Sequence, residues 1–76
     1  MKIHYRSLGT LKVTVPNGIE VDATTGNQTP CKEVYTGIVS IDTYSDGGCK
    51  YVRLWTFDNN CHMLIDNDIE FYIEEA

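Results

Sequence analysis

Apolar and polar residues alternate with a period of two along almost the whole chain. Ile3 and Tyr5, for example, stand between charged or polar neighbours, and the pattern returns after each group of turn residues. This spacing is typical of strands with one buried face, and no apolar stripe with helical spacing is longer than one turn. The sequence therefore predicts an all-β protein, with alternating runs at residues 3–5, 11–15, 19–23, 34–44, 49–57, 61–65 and 69–73.

Turn residues separate these runs. Residues 7–10 include Gly9 and predict a short hairpin, and Pro16-Asn17-Gly18 predicts a turn into the third strand of an N-terminal meander. The strongest signal is Asp46-Gly47-Gly48, because an Asp-Gly pair followed by glycine supplies the positive φ values of a tight hairpin. A further tight turn is predicted at Asp58-Asn59-Asn60.

Two segments depart from plain alternation. Gly37 lies inside a long strand and predicts a bulge or a sharp bend. Residues 24–30 contain no apolar side chain, so they are predicted to form a solvated loop.

The length of the chain limits how these strands can be arranged. Seventy-six residues form one domain at most, here residues 1–76, since a chain of this size buries only about 60% of its unfolded surface. A short all-β chain removes its exposed edges by curling up, which predicts a small antiparallel barrel of about five to six short strands.

The second half of the chain carries a characteristic series of segments: Thr36-Gly37-Ile38-Val39, Asp46-Gly47-Gly48, Val52-Arg53-Leu54, Asp58-Asn59-Asn60, Leu64-Ile65 and Ile69-Glu70-Phe71. Their order of bent strand, hairpin, strand, tight turn, strand, short break and closing strand resembles that of SH3-like barrels. The resemblance covers about half of the chain and implies a fold only, because this architecture hosts unrelated functions.

The run at residues 49–57 carries the candidate binding surface. One face holds Tyr51, Arg53, Trp55 and Phe57, and the other holds Val52, Leu54 and Thr56. If Val52 and Leu54 point inward, the opposite face presents three aromatic rings around an arginine, a composition typical of protein interfaces. The aromatic side chains themselves could instead fill the interior of so small a protein, or the N-terminal meander could cover the strand on both sides. The first alternative predicts a non-catalytic interaction module that binds a protein partner or a second copy of itself as a homo-oligomer.

Charge is distributed unevenly along the chain. Residues 1–15 carry three basic side chains and no acid, whereas residues 57–76 carry six acids and no lysine or arginine, within a net charge of -5. This balance disfavours direct nucleic-acid binding. A candidate acidic face comprises Asp66, Asp68, Glu70, Glu74 and Glu75. It predicts, as an alternative function, an inhibitor that occupies a basic nucleic-acid site on a partner, and small acidic proteins of phages and mobile elements are similar in size and charge. A merely solvated surface, with the basic strand beside the acidic one, explains the same charges.

Metal and catalytic signals are weak. Asp66, Asp68 and Glu70 lack the glycine that would fold a calcium loop, and the neighbours Cys61 and His62 should point to opposite faces of a strand. Three cysteines without a CxxC pair are expected to be reduced, buried thiols, with one incidental disulfide as the alternative. We predict no metal site, no cofactor and no enzyme activity. The chain has no apolar stretch long enough for a membrane span and no signal-peptide pattern at its start, which predicts a cytoplasmic protein with no membrane contact.

Overall fold

The computed structural model describes residues 5–75, which form one antiparallel β-sheet of seven strands. The strands are β1 (Tyr5–Thr14), β2 (Ile19–Val21), β3 (Gln28–Pro30), β4 (Val34–Asp46), β5 (Cys49–Thr56), β6 (Cys61–Ile65) and β7 (Tyr72–Glu75). Their order across the sheet is β3-β2-β6-β5-β4-β1-β7. The predicted all-β antiparallel class is confirmed. None of the elements within residues 5–75 is a helix with the length and apolar character needed to cross a bilayer.

The sheet does not close into the predicted barrel. β3 pairs only with β2 and β7 only with β1, so both remain edge strands in the described part of the chain. A flat single sheet would leave both faces open to solvent, but side chains from β1, β4, β5 and β6 are buried together in this molecule of 32 × 22 × 22 Å. The sheet therefore curls over its own buried face and covers its core without joining its edges.

The described residues do not form the predicted N-terminal meander, and residues 3 and 4 of its first strand lie outside the described part of the chain. β1 runs without reversal through residues 7–10, and its pairing with β4 shifts between Arg6 and Leu11, so the extra residues form an irregularity and not the predicted hairpin. β2 pairs with β6 and β3 and makes no ladder with β1. The turn at Pro16-Asn17-Gly18 thus leads the chain from β1, near one edge of the sheet, to β2, near the opposite edge.

β3 replaces part of the predicted solvated loop. Its three residues are all exposed, so this strand has no buried face. It therefore lacks the alternating apolar residues by which a strand is predicted. The strand forms through backbone pairing with β2. In the turn between the two strands, the Asp22 carboxylate accepts hydrogen bonds from the backbone N–H groups of Thr24 and Thr25 at 2.8 and 3.2 Å. These bonds turn the chain by a local mechanism that needs no burial.

The core lies on one face of the curled sheet. Its buried side chains are Leu11, Val13, Val15, Tyr35, Ile38, Ile41, Val52, Leu54, Leu64 and Ile69. In β4 the buried positions are three residues apart, at Tyr35, Ile38 and Ile41, although strict alternation would place Ile38 on the opposite face. The predicted bulge at Gly37 is confirmed, because the pairing shifts there against β1 and again, beyond Ile38, against β5.

The turns after β4 follow the sequence closely, but the last strand does not. Gly47 and Gly48 have φ values of 57° and 85° and join β4 to β5, and Asn59 has a φ of 69° in the turn before β6. β7 begins at Tyr72 and not at Ile69, whose side chain is buried in the preceding loop. Asp68, which precedes Ile69 in this loop, has a left-handed backbone with a φ of 54°.

Candidate functional site

The structure decides which face of β5 is buried. Val52 and Leu54 have no exposed surface, whereas Tyr51, Arg53 and Trp55 on the opposite face are each partly exposed. The core is filled instead by aliphatic residues from β1, β4 and β6 together with Tyr35. The aromatic side chains of β5 are therefore free to line a surface.

Strand register assembles that surface from four strands. Residues paired across neighbouring strands share a face of the sheet, so Arg53 lies in one row with Asp42, Met63 and Val21. A second row joins Trp55 to Ser40 and Cys61, and a third joins Tyr51 to Tyr44 and Ile65. We call this side of the sheet, opposite the core, the outer face.

Arg53 is held at the centre of the outer face. Its Nε and Nη2 atoms donate hydrogen bonds of 2.7 and 2.8 Å to the two carboxylate oxygens of Asp42, and the indole N–H of Trp55 donates to the same carboxylate at 3.3 Å. The guanidinium carbon lies 5.0 Å from the ring centre of Tyr44 and 5.3 Å from that of Trp55. Hydrogen bonding to Asp42 raises the pKa of Arg53, so the guanidinium stays protonated. The Asp42 carboxylate holds it in place and balances its charge.

Tyr44 also contacts a second tyrosine, and together these side chains form what we call the aromatic ladder. The rings of Tyr44 and Tyr51 are stacked with their centres 6.1 Å apart. Trp55, Arg53, Tyr44 and Tyr51 therefore form a continuous series of flat groups across β4 and β5. Planar groups fixed in this way present contact area at a small cost in side-chain entropy.

A groove of about 500 Å³ runs over this ladder, and we call it the aromatic groove. Its floor comes from β4, β5 and β6, and its side wall comes from the connection between β2 and β3. The lining residues are Val21, Asp22, Ala23, Gly26, Tyr44, Asp46, Tyr51, Arg53, Trp55, Cys61 and Met63. Because Glu20 and Val21 are the β2 residues that pair with β6, the side wall depends on a short ladder.

Phe57 lies apart from the groove. β5 ends at Thr56, and the Phe57 side chain, 74% exposed, packs over Gly37 of β4. The backbone N–H of Phe57 also donates a 3.0 Å hydrogen bond to the Gly37 carbonyl. Alternation alone groups Phe57 with Trp55, but the turn at residues 56–60 removes it from the lining of the groove.

A polar cluster that the sequence did not indicate lies on the core side of the sheet. The buried Tyr35 hydroxyl donates a 2.6 Å hydrogen bond to Glu20, accepts one of 3.0 Å from the Lys32 backbone N–H, and so connects β2 to β4. His62 Nδ1 lies 3.3 Å from the same Glu20 oxygen, and the His62 and Tyr35 rings are 4.8 Å apart. Burial, followed by the bond to Glu20, raises the pKa of Tyr35. Nothing in the spacing of positions 20, 35 and 62 indicates this contact.

The predicted acidic residues are distributed over two elements. Asp66, Asp68 and Glu70 follow β6 in the loop to β7, while Glu74 and Glu75 lie in β7 at the edge of the sheet. Glu74 faces Lys12 across the β1–β7 ladder, so a basic strand does lie beside an acidic one. Glu70 accepts a 3.2 Å hydrogen bond from the Tyr72 hydroxyl.

The cysteines are free thiols, but their placement differs from the prediction. Cys31 is partly buried against the core, whereas Cys49 and Cys61 are exposed at strand ends. Loss of solvation around the Cys61 sulfur raises the pKa of that thiol. Among residues 5–75, no cluster of histidine, cysteine, aspartate and glutamate is arranged to hold a metal ion.

The chain has no match among family models, curated proteins or solved structures. Any function must therefore be argued from the geometry of the aromatic groove and from the charges around it.

Proposed function

We propose that this protein is a non-catalytic interaction module that binds a protein surface in the aromatic groove. The observation that carries the proposal is the burial of Val52 and Leu54, which leaves Tyr51, Arg53 and Trp55 on the open face of the same strand. Aromatic residues and arginine are enriched at interfaces because they contribute large, well-ordered contact areas. The fixed Arg53–Asp42 pair supports this role, since it orders the floor of the groove before a partner arrives.

The test compares alanine substitutions of two aromatic residues, one in β5 and one in the turn that follows β5. Trp55→Ala removes part of the groove, whereas Phe57→Ala removes a more exposed ring outside it. A benzophenone attached to Cys61, after Cys31 and Cys49 are changed to serine, places a crosslinker at the groove. In the cell extract of origin, we expect a crosslinked product that Trp55→Ala abolishes and Phe57→Ala retains, with both variants folded by circular dichroism.

Light scattering after size-exclusion chromatography identifies the kind of interaction. An oligomer that dissociates on Trp55→Ala would place a second copy in the groove. A monomer with red-shifted Trp55 emission would leave the groove open to another protein. Crosslinking and oligomeric state that are both unchanged by Trp55→Ala would contradict the proposal.

The SH3-like resemblance, the cytoplasmic location and the alternative function are predictions. The SH3-like resemblance concerns the order of strands and turns and adds no function. A cytoplasmic location is supported by three free thiols, since cysteines in oxidising compartments are usually paired.

The alternative function, an acidic inhibitor acting through Asp66, Asp68, Glu70, Glu74 and Glu75, predicts a complex that weakens steeply with salt and is competed by DNA. The division of these residues between two elements gives it less support than the groove has.

A further inference from the structure

The charge of the aromatic groove selects its partner. Among the described side chains that line the groove, Arg53 is the cation; it gives two hydrogen bonds to Asp42 and lies near the rings of both Tyr44 and Trp55. The Asp42 carboxylate offsets the charge of Arg53, so an anionic group gains little net attraction at this position. Arg53 is therefore part of the floor and does not serve as a free anion receptor.

Two further carboxylates remain in the lining. Asp22 stands at the turn between β2 and β3, and Asp46 stands at the end of β4. Asp46 is two residues beyond Tyr44, so both side chains point to the outer face of the sheet. With Arg53 balanced by Asp42, the described lining residues carry a formal charge of -2 from Asp22 and Asp46.

The aromatic rings suit the same ligand charge. Tyr44 is 39% exposed, and Tyr51 and Trp55 are partly exposed. The face of an aromatic ring carries negative potential and attracts an ammonium or guanidinium group placed over it. A carboxylate beside the ring adds to this attraction, and a net charge of -5 on the whole chain steers a basic partner towards it.

We propose, resting on the interaction function proposed above, that the aromatic groove binds an extended basic segment of a partner protein through an arginine or lysine side chain. The cation lies against Tyr51 and pairs with Asp46, while Asp22 on the side wall meets a second basic residue. A second copy of this chain is a poorer occupant, because two molecules of charge -5 repel each other.

The test uses a defined probe, acetyl-Gly-Arg-Gly-Arg-Gly-amide, and its analogue in which citrulline replaces each arginine. Citrulline keeps the size of arginine but has no charge. Binding is followed by amide chemical shifts of the ¹⁵N-labelled protein and by Trp55 emission. We expect the arginine peptide to shift resonances of groove residues and to bind about tenfold more tightly than the citrulline peptide, with an affinity that falls as salt rises.

Charge variants locate the binding. Asp46→Asn and Asp22→Asn each remove one groove carboxylate, and asparagine at position 22 still supports the local turn. Asp66→Asn is the matched control, because it changes the net charge equally and lies outside the groove. Each groove variant should weaken arginine-peptide binding about fivefold to tenfold, and Asp66→Asn should leave it within about twofold.

The outcomes separate this inference from the function on which it rests. Equal binding of both peptides, lost in Trp55→Ala, would overturn the cation inference and retain the groove as an interaction site. Equal weakening by Asp66→Asn and Asp46→Asn would show attraction by bulk charge and overturn the inference. Absence of groove shifts at millimolar peptide, or a groove closed by a second copy, would overturn it as well.

Discussion

At the scale of single residues, Tyr35 shows how a polar group is accommodated in this small core. The side chain is 2% exposed, yet its hydroxyl has a donor and an acceptor partner in Lys32 and Glu20. An unpaired hydroxyl at this depth would cost free energy, whereas the paired one connects β4 to β2. β2 in turn carries one wall of the aromatic groove, so a buried residue helps to set the shape of a surface.

Tyr35→Phe should lower the free energy of unfolding by about 1–2 kcal/mol, because it leaves Glu20 and the Lys32 N–H without the hydroxyl. A pH effect accompanies this loss. Burial raises the pKa of Tyr35 above its ordinary value of 10.0, so above pH 10 the unfolded chain releases this proton while the native protein keeps it. The unfolded state then binds fewer protons, and stability must fall as pH rises.

Urea unfolding measured from pH 8 to 11 checks both parts. The wild-type protein should lose stability above pH 10 more steeply than Tyr35→Phe does, since the other tyrosines titrate in both proteins. Identical slopes would show that Tyr35 is not protected from ionisation in the native state.

At the scale of elements, β4 is the strand that bends the sheet. The shift at Gly37 allows Tyr35, Ile38 and Ile41 to enter one core although their spacing does not fit a regular strand. Gly37 has a φ of 70°, and a Cβ atom added there would lie 3.0 Å from two ring carbons of Phe57. Two separate restrictions, on backbone and on space, therefore require glycine at this position.

Gly37→Ala should destabilise the protein more than Gly26→Ala, by the cost of moving the Phe57 ring away from the added Cβ atom. Gly26 also has a positive φ, of 76°, but a Cβ there meets no atom within 4 Å, so its substitution costs only the backbone term, about 1 kcal/mol. Thermal unfolding of Gly37→Ala in a Phe57→Ala background isolates the steric part. In that background the cost should fall to that of Gly26→Ala, and an unchanged cost would argue against the ring contact.

At the scale of the whole molecule, the charge gradient of the chain is partly cancelled by the topology. The basic β1 lies beside the acidic β7, and Lys12 is the cross-strand neighbour of Glu74. Glu75, the next residue, faces the apolar Leu11 instead. A positive charge at position 74 would therefore face a lysine, whereas one at position 75 would face a leucine.

Glu74→Lys should destabilise the fold by about 0.5 kcal/mol more than Glu75→Lys, because it places two cations opposite each other. Both substitutions change the net charge from -5 to -3, so overall charge is matched. The difference in urea midpoint should shrink in 0.5 M salt, since such exposed charges are screened. A difference that persists in salt would point to packing and not to charge.

Much of the architecture follows from local patterns in the sequence. Alternation predicts the strands, and the turns at Gly47-Gly48 and Asp58-Asn59-Asn60 follow from residues that adopt positive φ. The bulge at Gly37 follows in the same way. These features depend on neighbours within a few residues, which a sequence displays directly.

Other features depend on contacts between distant residues. Residues 7–10 do not reverse the chain because the residues on both sides of them, Arg6 and Leu11, pair with β4. Gln28–Pro30 becomes a strand because β2 offers a free edge, although this segment lacks apolar alternation. Period two separates Trp55 and Val52 onto different faces, but only packing against β1, β4 and β6 decides which face is buried. The sequence alone thus determined the class of fold and the candidate aromatic residues. The tertiary structure decided that the sheet stays open, that Phe57 leaves the site, and that Asp42, Asp22 and Asp46 join it, because long-range pairing sets which side chains meet.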